Sequence, residues 1–385
     1  MTGVRSALRC PSDAQLRART GLKWSRTPSG EIPCDIAELD FDVAEPVLDV
    51  VRSAVDRSDF GYPDYETGTP VRLAEIFAER THRRYGWRPD PARVEICAQI
   101  VQGLCCALLA YTELGDAVLV HEPTYPPFVE AIVGLGRRCV PIPVADLRTA
   151  DELAQAVAGQ APSLLVICQP HNPTGHVFDH RTLEVFGEYA DRHDAVVFCD
   201  EIHQDLVHSP HRHVGAGAVA ALAGRAVCFT SAAKSFNIPG LRCAVGHFGA
   251  GRLHDAFRRL PWHLRSGASI TGIAATAAAW ESGADWQADL DRQLLRNLDL
   301  LETLRGHFSW RRPMATYLAW IHAPEFAGMD RISALGVTVR CSPGNLFGLA
   351  YGDYVRLNFG TSPARLTIII DTLIAALTTP DRMTS

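Results

Sequence analysis

The sequence lacks the cysteine arrangements that usually bind metals or form disulfide frameworks. It has 11 cysteines, an odd number, and no two of them are spaced Cys-x-x-Cys. The adjacent Cys105 and Cys106 cannot readily form a bridge with each other. The histidines within residues 203–213 are not accompanied by the cysteine or carboxylate pattern of a familiar metal site. We therefore expect reduced thiols, a cytoplasmic location and no metal centre.

Long apolar runs and clusters of basic residues are also absent. No stretch has the uninterrupted apolar length of a membrane span, and the first twenty residues contain several arginines but no signal-peptide core. The formal net charge is -6, and no lysine-rich run occurs. Neither nucleic acid nor membrane is therefore an expected partner. The composition, 47% hydrophobic and 21% charged residues, is typical of a globular chain with a sizeable core.

The length of 385 residues favours a large domain with a smaller companion over one compact core. We predict an N-terminal arm at residues 1–45 that joins the small domain, a large domain at 46–280 and a small C-terminal domain at 281–385. The sequence contains no internal repeats and no low-complexity linkers.

Short β-branched runs alternate with amphipathic stretches between residues 115 and 250. This alternation predicts an α/β fold with a parallel sheet covered by helices. The predicted strands are 117–120, 138–142, 164–168, 195–199, 226–229 and 244–248. Residues 179–193 are predicted as a crossover helix, because Leu183, Phe186 and Tyr189 recur at helical spacing. Residues 271–308 should be mainly helical, and residues 310–385 should mix short strands, including 354–359, with a terminal helix.

Unusual polar residues follow three of these strands directly. They occupy residues 169–175, 200–203 and 230–234. In open parallel sheets the ligand crevice lies outside the carboxyl ends of the strands. The three loops are therefore predicted to share one ligand.

Lys234 follows an apolar strand within the segment SAAKSFNIPGLRCAVG. Most lysines are solvated surface charges, but partial burial at such a crevice would lower the pKa of this amine. Only the neutral amine attacks an aldehyde. Lys234 is therefore a candidate for covalent attachment of an aldehyde.

Several motifs occur together in a recognisable order over nearly the whole chain. They are Lys23-Trp24, IAELDF at 36–41, FGY at 60–62, HNPTG at 171–175, DEIH at 200–203, residues 231–241, SPG at 342–344 and VRLNFG at 355–360. With these motifs the sequence resembles fold-type I enzymes dependent on pyridoxal 5'-phosphate (PLP), in the class I/II aminotransferase group. Within the group it is most similar to the cystathionine β-lyase branch typified by MalY and PatB. The resemblance implies a PLP-dependent transferase-like fold with a mainly parallel sheet in the large domain and a smaller α+β domain.

The resemblance also implies how PLP is held. Lys234 would carry it as a Schiff base, and Asp200 would keep the pyridine nitrogen protonated. Asn172 would bond the phenolic oxygen, with His203 nearby and the Asn172–Pro173 bond in the cis form. Tyr125 would stack on the ring and belongs with Lys234 among the catalytic residues. Judged alone, each is also explained by an ordinary role, such as a turn or a core aromatic.

Phosphate ligands are implied at a second group of residues. Ser231 offers a hydroxyl and Arg242 a charged fork. Gly103 and Leu104 open a helix predicted at 103–114, whose free N–H groups would hold the same phosphate. Judged without the resemblance, a plain helix start is as good an explanation. Tyr62 matches a tyrosine that reaches the phosphate from a neighbouring subunit, which implies a homodimer with shared active sites.

The resemblance implies a smaller group of substrate-binding residues. Arg356 would clamp the carboxylate of an amino acid, and Asn172, Ile36 and Ala37 would line the substrate pocket. Two positions depart from the relatives. His203 stands where many aminotransferases have tyrosine, and Asp35 stands where the lyase branch often has tryptophan. Such a change should alter which side chains are accepted.

The reaction predicted is α,β-elimination by a carbon–sulfur β-lyase. It would cleave a cysteine S-conjugate or a related β-substituted amino acid to thiol, pyruvate and ammonia, with Lys234 as the base that removes the α-proton. An aminotransferase, or a decarboxylative deaminase acting on a cysteine-conjugated biosynthetic intermediate, stays open as an alternative. A non-catalytic regulatory protein on the same fold is disfavoured by the intact set of motif residues.

Overall fold

A computed structural model describes residues 8–378 of the chain. The first seven residues of the segment judged not to be a signal peptide lie outside the described residues. The strands are β1 (Glu31–Pro33), β2 (Val94–Cys97), β3 (Ala117–Glu122), β4 (Arg138–Pro143), β5 (Leu164–Cys168), β6 (Val196–Asp200), β7 (Ala226–Thr230), β8 (Ala244–Phe248), β9 (Ser309–Trp310), β10 (Leu318–His322), β11 (Arg331–Ala334), β12 (Val337–Arg340), β13 (Ser342–Pro343) and β14 (Tyr354–Asn358). The α-helices are α1 (Asp13–Arg17), α2 (Leu22–Ser25), α3 (Glu45–Asp56), α4 (Thr69–Tyr85), α5 (Ile100–Tyr111), α6 (Pro126–Gly134), α7 (Ala150–Ala156), α8 (His180–Arg192), α9 (Ala232–Ser235), α10 (Gly251–Arg258), α11 (Trp262–Arg265), α12 (Ile270–Ser282), α13 (Ala284–Leu301) and α14 (Pro363–Ala376).

A seven-stranded sheet forms the centre of the molecule, in the order β2-β8-β7-β6-β5-β3-β4. From β7 to β4 all neighbours are parallel, whereas β8 runs antiparallel to both β7 and β2. All six predicted strands are present, and 164–168 and 244–248 keep their predicted bounds. The fold is α/β as predicted, with β8 as the departure from a fully parallel pattern.

The central sheet is buried on both faces. Two consecutive residues of β6 show this, since Phe198 packs into a cluster with α5, α6 and α10, whereas Cys199 packs into another with α7 and α8. Strands covered on both sides read as continuous apolar runs in the sequence. The predicted crossover helix is confirmed as α8, with its apolar stripe, including Leu183 and Phe186, fully buried.

Two smaller sheets lie in the C-terminal part of the chain. One is the four-stranded sheet β13-β14-β10-β9, and the other is β1-β12-β11, in which β1 pairs parallel with β12. The arm therefore supplies a strand to a C-terminal sheet. One core cluster joins Phe41 of the arm, Phe77 of α4, Trp280 of α12 and Leu294 of α13. Helix α12 continues across residue 280, so the predicted domain boundaries at 45 and 280 stay predictions.

No helix within residues 8–378 combines the length and the apolar character needed to cross a membrane.

Candidate active site

A cavity of about 340 Å³ opens at the carboxyl ends of β5, β6 and β7. It is the crevice that the positions of the polar loops predicted. The predicted site residues that line it are Ile36, Ala37, Tyr125, Asn172, Asp200, His203, Ser231, Lys234, Arg242 and Arg356. Residues more than three hundred positions apart in the sequence therefore share one cavity.

Lys234 lies on the short helix α9, which begins directly after β7. The Ser231 side chain caps this helix by accepting a hydrogen bond from the N–H of Ala233 at 3.0 Å. Lys234 Nζ donates to the Ala37 carbonyl at 2.8 Å and forms no ion pair with a described residue. Burial lowers the pKa of this amine to about 8. The neutral amine is therefore far more abundant near neutral pH than in an ordinary lysine, which makes it a usable nucleophile and base.

Asp200 ends β6 on the same side of the sheet. Its carboxylate is buried and accepts a hydrogen bond from the N–H of Ile202 at 2.9 Å. Burial raises the pKa of Asp200 to about 7, because no described cation pairs with it closely enough to offset the loss of water. A positively charged partner at this position would be strongly favoured.

Arg356 lies on β14 and faces Asn172 across the cavity. One guanidinium nitrogen donates to Asn172 Oδ1 at 3.0 Å, and the other donates to the Asp35 carbonyl at 2.6 Å. Its Nε is buried and has no hydrogen-bond partner among the described residues. Burial lowers the pKa of Arg356 to about 10. A carboxylate that enters the cavity would satisfy this group.

The arm forms one wall of the cavity, and hydrogen bonds to its backbone carbonyls hold it there. Asn358 of β14 donates from its side-chain amide to the carbonyls of Ile36 and Glu38, at 2.6 and 2.7 Å. The intervening Ala37 carbonyl accepts from both Lys234 and the Tyr317 hydroxyl. Ile36 and Ala37 therefore contribute backbone as well as surface to the site.

Tyr125 and His203 also line the cavity. Tyr125 precedes α6 and packs edge-on against Phe128, with ring centroids 5.4 Å apart. His203 is buried, and burial lowers its pKa to about 3, so the ring is neutral. The Asn172–Pro173 bond is cis, as the resemblance implies.

The predicted helix start at residue 103 is wrong. Helix α5 begins at Ile100, and the N–H of Gly103 donates to the Gln99 carbonyl at 3.2 Å, so it is not free to bind an anion. Leu104 is fully buried in the core. A Cβ at Gly103 would lie 2.6 Å from the Phe229 ring, which accounts for glycine at this position by packing.

The free N–H groups at this end of α5 belong instead to residues 100–102. Ile100 and Val101 line the cavity together with Ser231 and Arg242. Arg242 has φ +56° and donates to the Gln99 side chain at 2.7 Å. The Arg242 guanidinium and a helix N-terminus therefore offer donors to a phosphate-sized anion, and the Ser231 hydroxyl, which donates to the Cys243 carbonyl at 2.6 Å, lines the same cavity.

Tyr62 is not part of this cavity in its own chain. Its side chain is fully exposed, and it is absent from the residues that line the cavity.

Comparison with known proteins identifies the family of the chain. Residues 38–373 match the family Aminotransferase class I and II. The chain belongs to this family. The family and the fold predicted from the motifs are thereby confirmed.

Three relatives of this aminotransferase class I and II member cover nearly its whole length. It is 32% identical to cystathionine β-lyase of Corynebacterium glutamicum, over 92% of this chain and 96% of that protein. It is 33% identical to a putative cystathionine β-lyase of Mycobacterium leprae, over 91% and 93% of the two chains. A solved structure described as a putative PLP-dependent β-cystathionase of Corynebacterium diphtheriae is 29% identical, with a TM-score of 0.87 over 97% of this chain and 99% of that one.

Motif reasoning missed three residues that organise the site of this family member. Tyr317 bonds the arm, Gln99 anchors Arg242, and Arg340 pairs with Asp35 at 3.0 Å. Their partners are far away in the sequence, so no local pattern identifies them. One overlooked signal was compositional, since the whole chain contains only two lysines, Lys23 and Lys234.

Proposed function

We propose that this chain is a PLP-dependent carbon–sulfur β-lyase that cleaves a cysteine S-conjugate or a related β-substituted amino acid. The observation that carries the proposal is the meeting of Lys234, Asp200 and Arg356 in one cavity, where none of the three forms an ion pair with another described residue. The names of the relatives, cystathionine β-lyases, support elimination at a carbon–sulfur bond.

The residues present fit PLP. Asp200 is a buried carboxylate without a cation, which suits a protonated pyridine nitrogen. Ser231, Arg242 and the N-terminus of α5 suit the phosphate, and Lys234 suits the aldehyde. Asn172 and Tyr125 would bond and stack on the ring, with His203 beside them. When bound, PLP supplies the electron sink that stabilises negative charge at the substrate α-carbon.

Side chains of the protein would then bind the substrate and transfer the proton. Arg356 binds the substrate carboxylate, with Asn172 and the Ile36–Ala37 backbone limiting its position. Lys234 Nζ, neutral in part at neutral pH, takes the α-proton. The carbon–sulfur bond breaks, the thiolate is protonated, and water converts the remaining three-carbon fragment to pyruvate and ammonia.

We also infer a homodimer in which Tyr62 completes the phosphate site of a second copy. The full exposure of Tyr62, with Phe60 exposed beside it, supports this arrangement. The eleven free cysteines agree with a reducing compartment, and we expect the enzyme in the cytoplasm.

The decisive experiment is product analysis of the purified holoenzyme with a panel of cysteine S-conjugates, with and without a keto acid acceptor. Release of thiol and pyruvate in equal amounts without acceptor is the expected result. Amino-group transfer that requires the acceptor would identify an aminotransferase, and release of carbon dioxide would identify decarboxylative deamination. Either outcome would overturn the lyase proposal.

A further inference from the structure

A second pocket, here called the outer pocket, adjoins the active-site cavity. It has a volume of about 300 Å³ and shares Asp35, Ile36, Tyr125 and Arg356 with the cavity. Arg356, which would bind the carboxylate of a substrate, lines both pockets. The outer pocket is therefore the adjoining space for the far end of the substrate's side chain. In a cysteine S-conjugate, that far end is the thiol fragment which leaves.

A chain of ion pairs runs along one wall of the outer pocket. Asp330 pairs with Arg331 at 2.9 Å, Arg331 with Glu31 at 3.3 Å, Glu31 with Arg340 at 3.0 Å, and Arg340 with Asp35 at 3.0 Å. Three carboxylates therefore share two guanidiniums. Asp330, Arg340 and Asp35 line the pocket, and Glu31 and Arg331 connect them. These five residues together carry one negative charge in excess, and the series ends at Asp35, which lines both the outer pocket and the active-site cavity.

Arg340 is not available to bind an anionic substrate group. Its two terminal nitrogens donate to Glu31 and to the Lys23 carbonyl, each at 3.0 Å, and its Nε faces Asp35. Its Nε makes no hydrogen bond to a described residue, but the guanidinium forms ion pairs with the carboxylates of both Glu31 and Asp35, so its charge is already balanced within the protein.

Asp35, in contrast, has an unused acceptor. Its Oδ2 faces Arg340, whereas its Oδ1 is buried and has no hydrogen-bond partner among residues 8–378. A carboxylate can accept about four hydrogen bonds, and a buried oxygen left without a donor is unfavourable. The side chain keeps 21% of its surface exposed, so a donor in the pockets can reach the carboxylate after a small rotation.

We propose that Asp35 selects substrates whose thiol fragment carries a positively charged nitrogen group. This inference rests on the proposed lyase function, because it concerns the fragment that elimination releases. The other carboxylate that lines the outer pocket, Asp330, is paired with Arg331, and the wall with Pro127, Leu346 and Phe347 is apolar. A neutral fragment would leave Asp35 unsatisfied, and an anionic fragment would be repelled.

The first test compares three conjugates of similar size on the holoenzyme: S-(2-aminoethyl)-, S-propyl- and S-carboxymethyl-L-cysteine. The cationic conjugate should have a kcat/KM at least about tenfold above that of the neutral one, with the anionic one lowest. In Asp35→Asn the ratio of cationic to neutral should fall to about one. Asp330→Asn, which removes the same charge from the same pocket, is the control and should keep the ratio.

A second test measures binding by calorimetry and does not depend on elimination. L-Lysine, L-2-aminoheptanoate and L-2-aminoadipate replace the sulfur of the three conjugates by CH₂ and have no leaving group. L-Lysine should bind the holoenzyme at least about tenfold more tightly than L-2-aminoheptanoate, and Asp35→Asn should remove the difference.

The two tests separate the failure of this inference from the failure of the lyase proposal. Cleavage of all three conjugates with equal efficiency, together with equal binding of the three isosteres, would overturn the role of Asp35 and leave the lyase intact. Absence of cleavage with retained selectivity for L-lysine would overturn the lyase alone. A loss of stability in Asp35→Asn with unchanged ratios would show that Asp35 only holds Arg340, and would also overturn the inference.

Discussion

Two buried aspartates five residues apart, Asp200 and Asp205, have opposite electrostatic surroundings. Asp200 has no close cation, and burial raises its pKa to about 7. Burial acts on Asp205 in the same direction, but the guanidiniums of Arg80 and Arg84 outweigh it and hold the pKa of Asp205 below its ordinary value. Arg80 lies 2.8 Å from the Asp205 carboxylate.

The two lysines of the chain repeat this contrast. Lys23 is buried but lies 2.9 Å from Asp40 and donates to the Glu38 carbonyl. Lys234 is buried without a carboxylate partner, and its pKa falls to about 8. In these two comparisons the paired charges hold the arm and α4, whereas the two charges without ion-pair partners, Asp200 and Lys234, both line the cavity. Because an isolated buried charge is unfavourable, the cavity is built to gain stability from a ligand of complementary charge.

The largest expected effect is on the unpaired lysine. Lys234→Ala should lower kcat for elimination by at least about 10³-fold, because it removes both the covalent anchor and the base. Borohydride reduction of the holoenzyme followed by peptide mass spectrometry should place PLP on Lys234. With two lysines in the chain, the assignment has one competitor.

Lys23→Arg is the matched control for this experiment. It keeps a cation beside Asp40, and the folded protein should still carry PLP on Lys234. Label on Lys23, or absorbance of bound PLP that survives Lys234→Ala unchanged, would contradict the assignment.

The next largest effect is expected on the free energy of unfolding, on substitution of Asp205. Asp205→Asn leaves Arg80 buried without its counter-charge and should lower the free energy of unfolding by about 3 to 5 kcal/mol. Urea denaturation followed by circular dichroism measures this loss. Asp200→Asn, the same substitution five residues earlier, should not destabilise the cofactor-free chain. Equal losses in the two variants would remove the distinction between paired and unpaired charges.

The effect of Asp200→Asn on the free energy of unfolding of the cofactor-free protein should instead depend on pH. The pKa of Asp200 rises from 3.8 to about 7 on folding, so the folded state holds the proton more tightly than the unfolded state. Its contribution to stability is complete below pH 3.8 and is lost as the pH rises towards 7. The stability of the Asp200→Asn variant relative to the parent should therefore increase between pH 4 and 7 and then level off.

The measurement is the difference in free energy of unfolding between variant and parent at several pH values from 5 to 8. The same variant should bind PLP about 10- to 100-fold more weakly, because the charged partner of the pyridine nitrogen is gone. A flat difference with pH, or unchanged PLP affinity, would mean that Asp200 has a structural role only.

The cavity residues could be predicted from the sequence better than the buried ion pair of Asp205. Asn172 and Lys234 follow buried strands and Asp200 ends one, so local pattern and family resemblance place them at one edge of the sheet. The partners of Asp205 come from α4, more than a hundred residues away, and no local pattern shows that they meet. The start of α5 was misplaced for another reason. Gln99 makes no side-chain cap, so the sequence lacks the usual signal of a helix N-terminus there.

The smallest effect concerns Tyr62, which is unpaired because its proposed partner is a second copy of the chain. Tyr62→Phe removes one hydroxyl from a fully exposed side chain, so the free energy of unfolding of the cofactor-free protein should not change. The affinity for PLP should fall about three- to tenfold, the usual value of one hydrogen bond. Sedimentation should show a dimer for both the parent and the variant.

Mixed dimers distinguish a contribution across the interface from one within the chain. In a dimer of one Lys234→Ala copy and one Tyr62→Phe copy, a single site keeps Lys234. If Tyr62 acts across the interface, that site receives an intact tyrosine from the Lys234→Ala copy and should bind PLP with the affinity of the parent. If Tyr62 acts within its own chain, the same site keeps the weakened affinity of Tyr62→Phe. Spectroscopic titration of the purified mixed dimer with PLP measures which of the two affinities is present.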